Sequence, residues 1–166
     1  MNQFLSAVAL ALAGLALSGC VKVGAPHGVA ATTKPNAIDP SLPQVVAYRA
    51  PSCGCCEMWV EHMRAAGFDV AVRKTDGMEA AKSDAKVPAA GRSCHTALVG
   101  GYFVEGHVPA ADIKRLLESK PDALGLTVPG MVVGSPGMDQ GGGGLPYDVL
   151  LVARDGTTSM FAHHGP

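Results

Sequence analysis

Three of the chain's five cysteines fall in one turn, Cys53-Gly54-Cys55-Cys56. The run follows an apolar stretch, Val45-Val46-Ala47-Tyr48, and precedes a helical pattern from Glu57 to Ala66. Thiols at such a junction sit at a helix N-terminus, where free N–H groups and the helix dipole favour thiolate over thiol. Cys53 and Cys56 have the two-residue spacing of a dithiol that opens and closes as a disulfide. Cys55 is a third sulfur, which a dithiol does not need, and thiolates packed into one turn suit a soft metal such as Cu(I). Ser93-Cys94-His95-Thr96 adds a fourth sulfur and an imidazole, and His107, in Glu105-Gly106-His107-Val108-Pro109, adds a second imidazole. Pro129-Gly130-Met131 recurs as Pro136-Gly137-Met138. The two copies offer either two thioethers or two Pro-Gly turns whose Met side chains fill gaps in the core.

These donors are soft or borderline, and no Asp/Glu pair accompanies them as an oxygen-ligand site for Ca or Mg requires. Tetrahedral structural zinc sites commonly spread their cysteines in separated pairs. The adjacency of Cys55 and Cys56 fits that pattern poorly, whereas adjacent thiolates can bridge two ions of a small copper cluster. Copper is therefore the expected ion and zinc the alternative. Cys53, Cys55, Cys56 and Cys94 are an even number, open to two bridges or to one metal site. His62, on the Glu57 to Ala66 helix, is expected on its solvated face, and His163-His164 reads as a tail or a surface pair for a divalent ion.

The elements that must position these groups read as α/β. Gln44 to Tyr48 is a strand. The helix that follows places Cys56, Trp59, Val60 and Met63 on one apolar face and closes at Gly67. Phe68 to Val72 alternates as a second strand, which puts the cysteines at the C-terminal end of the first strand of a βαβ unit. Thr75 to Lys86 reads as a loose helix ending before Pro88. Thr96 to Val99 and Tyr102 to Glu105 flank Gly100-Gly101 as a hairpin, and Pro109 opens a helix through Glu118. Strand, helix, strand, helix, hairpin, helix is the succession of a thioredoxin-like fold. In redox enzymes of that fold a proline faces the cysteine turn where this chain has Cys94, His95 and Thr96, a replacement that favours metal binding over disulfide exchange. Leu124 to Pro146 reads as an added Gly/Pro/Met-rich loop, and Tyr147 to Ala153 with Thr157 to Ala162 as a second, C-terminal β-hairpin.

Residues 1–19 carry no charged side chain and are rich in Ala and Leu, too short a run for a permanent membrane helix. They read as an export signal. Leu17-Ser18-Gly19-Cys20 matches a lipoprotein cleavage box, in which Cys20 takes the lipid; Val21 after it favours the outer membrane. Residues 20–43, rich in Ala, Pro, Gly and Thr and including His27, read as a flexible tether, and 44–166 as one domain large enough to bury a core. A lipid-anchored domain outside the cytoplasm meets oxidants that convert unprotected cysteine pairs to disulfides. The formal net charge is −1 without a Lys/Arg stripe, which argues against nucleic acid as a ligand.

Several segments together resemble the CopG-like periplasmic copper-resistance proteins, long catalogued as a domain of unknown function. They are Tyr48 to Cys56 with Trp59-Val60, Ser93 to Ala97, Glu105 to Ala110, and Val128 to Met131 through Gly134 to Met138. The resemblance implies a thioredoxin-like fold and a multinuclear copper cluster that interconverts Cu(I) and Cu(II). By position it implies Cys53, Cys55, Cys56 and Cys94 as sulfur ligands with His107 as imidazole, and leaves His95, Met131 and Met138 as further candidates. It also implies work with other envelope copper-handling proteins in the bacterial periplasm. A thiol-disulfide oxidoreductase using Cys53 and Cys56 is the competing reading, and a zinc-bound interaction scaffold a third. Val132-Val133 and the tract Gln140 to Gly144 depart from the family pattern.

Overall fold

The computed structural model describes residues 37–138 and 144–165. The export signal, Cys20, His27 and most of the tether lie outside these residues, as does most of the Gln140 to Gly144 tract. Of the segment read as tether, residues 37–43 lie on the domain: the Asp39 N–H donates to the Gly67 carbonyl at 2.9 Å, and Leu42 packs on the core.

The elements in chain order are β1 (Val45–Arg49), α1 (Gly54–Ala65), β2 (Val70–Lys74), α2 (Met78–Asp84), a short 3-10 turn, β3 (His95–Val99), β4 (Tyr102–Glu105), α3 (Ala110–Ser119), β5 (Ala123–Thr127), β6 (Tyr147–Ala153) and β7 (Thr158–His164). The strands form one mixed sheet in the order β2-β1-β3-β4-β5-β6-β7. β2 runs parallel to β1, while β3 runs antiparallel to both β1 and β4. The first four strands and three helices follow the succession expected for a thioredoxin-like fold. The β6–β7 hairpin extends the same sheet.

Four local readings change. β5 occupies the start of the segment expected to be loop, pairing parallel with β4 and antiparallel with β6. α2 is a shorter helix than Thr75 to Lys86, and β2 begins two residues later than read, with Phe68 still buried in the core. His163 and His164 belong to β7 rather than to a tail, and each meets a different carboxylate, Asp148 at 2.7 Å and Asp112 at 2.6 Å.

Side-chain alternation along β3 separates the layers. His95 packs tilted against Trp59 of α1, with ring centroids 4.4 Å apart, while its neighbour Thr96 accepts a hydrogen bond from Lys82 of α2 at 3.2 Å. α1 and α2 therefore cover opposite faces of the sheet. α3 lies beside α1, where Lys114 Nζ donates to the Ala66 carbonyl at 2.7 Å and sits over the Phe68 ring. The core gathers Val45, Trp59, Val60, Met63, Phe68, Ile113, Leu116 and Leu126, all essentially inaccessible.

Candidate metal centre

The cysteine turn is built from the end of β1 and the start of α1. Cys53 is the N-cap of α1, and its sulfur accepts the Cys56 N–H at 3.3 Å, the place a Ser or Asp oxygen takes in other helices. Arg49, the last residue of β1, is 4% exposed. Its guanidinium donates to the carbonyls of Ala50, Pro51 and Cys53 at 3.1, 3.3 and 3.4 Å and pairs with Glu57 in the first turn of α1. One cation thus ties the strand end, the turn and the helix start together. Nothing in the sequence marks Arg49 for that work, since a strand-end arginine before a turn ordinarily reads as solvated.

Cys53 and Cys56 are joined by a disulfide, and Cys55 and Cys94 are free. Cys56 is fully buried; the other three are partly accessible. The sulfurs of Cys53, Cys55, Cys56 and Cys94 all lie within 4.8 Å of one another, although Cys94 enters from β3, far along the chain. Ligating atoms of Cys94, His95 and His107 form a second group within the same 4.8 Å limit, so Cys94 belongs to both. With the disulfide closed, the thiols available to a metal are Cys55 and Cys94; reduction releases two more.

The imidazoles are oriented. His107 Nδ1 lies 2.7 Å from the Pro136 carbonyl, which can only accept, so Nδ1 carries the proton and Nε2 keeps its lone pair. That nitrogen is 3.0 Å from the Cys94 sulfur. Orientation of a ring through its far nitrogen by a carbonyl is the usual second partner of a metal-bound histidine. His95 turns Nδ1 toward the Cys94 sulfur at 3.4 Å, while its Nε2 is buried without a hydrogen-bond partner. Burial, and next the charges of His107 and Lys82, holds His95 well below the ordinary imidazole pKa. Burial also lowers His107, outweighing the Pro136 hydrogen bond. Burial, reinforced by the neighbouring Cys55 thiol, pushes the Cys94 thiol up to about 12, so Cys94 is protonated near neutral pH when no metal is present.

The two Pro-Gly-Met copies act here through their backbones. The Gly130 carbonyl accepts from the Ser93 hydroxyl, and the Gly130 N–H donates to the Arg92 carbonyl at 3.2 Å, immediately before Cys94. The second copy supplies the Pro136 carbonyl to His107 and lays Gly137 against α1. A Cβ on Gly137 would lie 2.7 Å from the Trp59 nitrogen and 2.8 Å from the Cys55 carbonyl, and its φ is +83°, so only glycine fits. Met131 is 62% exposed and Met138 half-buried.

His62 departs from the expectation of a solvated position. Its Nε2 accepts the Ala110 N–H at 3.0 Å, capping α3 from α1, while Trp59 Nε1 donates to the Val108 carbonyl at 2.9 Å. These two bonds clip the loop that carries His107 onto the helix that carries the cysteines. Among the described residues no helix is long and apolar enough to cross a membrane.

Comparison with known proteins agrees with this arrangement. The family described as "Protein of unknown function, DUF411" matches residues 91–138. No curated protein sequence matches the chain. The solved structure "Copper resistance protein copG- Form 2" is 43% identical, covering 74% of this chain and 98% of its own, with a TM-score of 0.71. "Copper resistance protein copG- Form 1" is likewise 43% identical, covering 75% of this chain and 99% of its own, with a TM-score of 0.70. With a thioredoxin-like succession, a four-sulfur cluster met by two imidazoles, and that identity sustained over nearly all of both solved chains, this protein belongs to the CopG family.

Proposed function

We propose that the protein contributes to copper resistance in the cell envelope by holding Cu(I) in a multinuclear site formed by Cys53, Cys55, Cys56, Cys94 and His107. The observation that carries this reading is the convergence of four sulfurs from two distant segments within 4.8 Å, linked through Cys94 to two imidazoles. The donor chemistry fits the ion: thiolate and imidazole are soft and borderline ligands, and neither group includes a carboxylate. The naming of both solved relatives as copper resistance proteins supports the same ion. His107 offers Nε2, and His95, whose Nδ1 faces the Cys94 sulfur, stands as a further donor. A site of bridging thiolates also accommodates exchange between Cu(I) and Cu(II), and Met131 and Met138 stand as outer thioethers. The anchor on Cys20, export to the periplasm and partnership with other copper-handling proteins belong to this reading.

The test is anaerobic titration of the reduced protein with Cu(I) against a competing chelator, with bound metal and free thiols counted in one sample and Zn(II) run in parallel. Several coppers per chain, lost in Cys55→Ser as well as in Cys53→Ser, are the expected result. Retention of less than one equivalent, or a preference for one Zn(II), overturns it.

The Cys53–Cys56 disulfide favours a second reading, a thiol-disulfide oxidoreductase with the more accessible Cys53 as nucleophile and buried Cys56 as the resolving thiol. It requires insulin reduction that vanishes in Cys53→Ser and is indifferent to copper.

A further inference from the structure

The most completely buried charges in the described residues lie beneath the site on the side away from α1. Glu105, at the end of β4, is 0% exposed, and the Lys82 side chain of α2 is 4% exposed. Lys82 Nζ lies 2.6 Å from Glu105 Oε1. Such a pair is weak evidence for stability, because the cost of desolvating two ions roughly cancels their attraction and apolar residues of similar volume often serve as well. Its remaining contacts give it another use.

Each carboxylate oxygen of Glu105 holds one flank of the dipeptide Cys94-His95. Oε1 accepts the backbone N–H of Ser93, the residue before Cys94, at 2.6 Å. Oε2 accepts the hydroxyl of Thr96, the residue after His95, at 2.6 Å. The register explains the second contact, since Thr96 and Glu105 face each other across the β3–β4 ladder and their side chains share the α2 face. Two residues beyond Glu105 the chain presents His107, and the intervening Gly106 N–H donates to the His95 carbonyl at 3.0 Å. One carboxylate therefore sets Cys94, His95 and the approach to His107 relative to one another. Lys82 balances its charge and also donates to Thr96 Oγ1 at 3.2 Å.

We propose that Glu105, balanced by Lys82, is a positioning residue for copper binding that fixes the Cys94 thiol against His107 by gripping both flanks of Cys94-His95. The proposal rests on reading the Cys/His cluster as a copper site. A ligand's outer partners typically contribute about 10- to 100-fold to metal affinity, and Glu105 holds the residues on either side of two candidate ligands, Ser93 before Cys94 and Thr96 after His95.

The test uses the full chain, reduced and anaerobic, in three forms besides the native one. Lys82→Met combined with Glu105→Gln removes both charges together, leaves no unpaired ion, and replaces one acceptor oxygen with an NH2 group that can only donate. Thr96→Val removes the Oε2 grip together with the Lys82 Nζ–Thr96 Oγ1 bond and leaves the Oε1 grip on Ser93 in place, and Thr96→Ser keeps the hydroxyl that makes both. Each is read by Cu(I) affinity in chelator competition, by the imidazole contribution to the copper X-ray absorption spectrum, and, in metal-free protein, by amide hydrogen exchange at Cys94 and His95.

The expected result is a loss of about 10- to 100-fold in affinity for the double variant and about tenfold for Thr96→Val, with a reduced imidazole signal, faster exchange at Cys94 and His95, and native behaviour in Thr96→Ser. Should the double variant fail to fold, Thr96→Val against Thr96→Ser decides. Variants that melt earlier yet bind copper with native affinity and spectrum overturn the proposal and leave the copper reading standing. A native chain that takes up no copper overturns both.

Discussion

Replacing His62 with Leu removes the acceptor of the Ala110 N–H while keeping an apolar side chain of similar bulk. α3 has no side-chain cap of its own, because Pro109 stands at the N-cap, and Ala110 is only 3% exposed. Water cannot readily take the acceptor's place, so the cost is that of a buried unsatisfied donor, about 1–3 kcal/mol. At about 2 kcal/mol the thermal midpoint falls by roughly 4–16 °C for a domain of this size range. Glu, Lys or Arg at position 62 would not test the bond, but His62→Gln does, since its amide oxygen reaches the place of Nε2 and retains an acceptor. Its cost is below about 1 kcal/mol. Acid behaviour gives a second readout of the same position. Burial lowers the pKa of His62 below its ordinary 6.5, so the folded protein keeps it neutral while the unfolded chain binds a proton. Its contribution is present above pH 6.5 and is lost as pH falls from there through the folded value. His95 and His107 shift the same way, so stability of the native chain drops on acidification with up to three protons in its slope. In His62→Gln that slope is shallower by up to one proton, less to the extent that solvent reaches His62. Urea unfolding followed by far-UV circular dichroism between about pH 5 and 8 measures both quantities. A Gln variant as unstable as the Leu variant, or a native acid slope retained in Gln, refutes the role assigned to the His62–Ala110 bond.

Gly137→Ala forces a Cβ into the Trp59 nitrogen and the Cys55 carbonyl at positive φ; it destabilises by about 1–3 kcal/mol and loosens the Pro136 carbonyl from His107, seen as a lower thermal midpoint and an altered His107 ring signal in NMR. Arg49→Met leaves three turn carbonyls without their donor; we expect a loss of about 1–3 kcal/mol and faster alkylation of the reduced cysteine turn, with Arg49→Lys intermediate. Because the Cys94 thiol sits at about 12, copper binding must displace its proton, so Cu(I) affinity falls as pH is lowered. Cys94→Ser removes about one proton from the slope of log affinity against pH, and an unchanged slope excludes Cys94 as a ligand.

The legible parts of the fold are those whose residue types speak locally. Cys56, Trp59, Val60 and Met63 at helical spacing are the buried face of α1, and β6 spans Tyr147–Ala153, the run that ends at the Arg154-Asp155-Gly156 turn. β5 was not legible because Gly125 interrupts Ala-Leu-Gly-Leu-Thr, and glycine inside a strand reads as a breaker. In the fold that glycine is required, since a Cβ there would collide with the Phe103 carbonyl of the neighbouring strand β4. The strand exists through pairing on both sides, which no window of local sequence displays. His62 was misread for a related reason: its helical position lies off the apolar stripe, and Ala110, whose N–H it accepts at the start of α3, arrives 48 residues later.

The candidate site divides in the same way. Cys53, Cys55, Cys56, Cys94, His95 and His107 announce themselves because thiols and imidazoles are chemically distinctive, and the fold does bring them together. What holds them is anonymous in sequence. His107 is aimed by the Pro136 carbonyl, the segment before Cys94 by the Gly130 carbonyl, and the cysteine turn by an arginine bonding three carbonyls. Any residue supplies a carbonyl, so such supports leave no trace in residue type except where a close approach demands glycine, as at Gly137. The repeated Pro-Gly-Met therefore carries its information in Pro and Gly: each copy delivers a backbone oxygen beside a candidate ligand, and Met131, the most conspicuous thioether, is the more exposed of the two. Sulfurs held within 4.8 Å can close a disulfide or share a metal with little motion of the chain, and the balance between the two is then set by the supply of electrons and ions rather than by refolding.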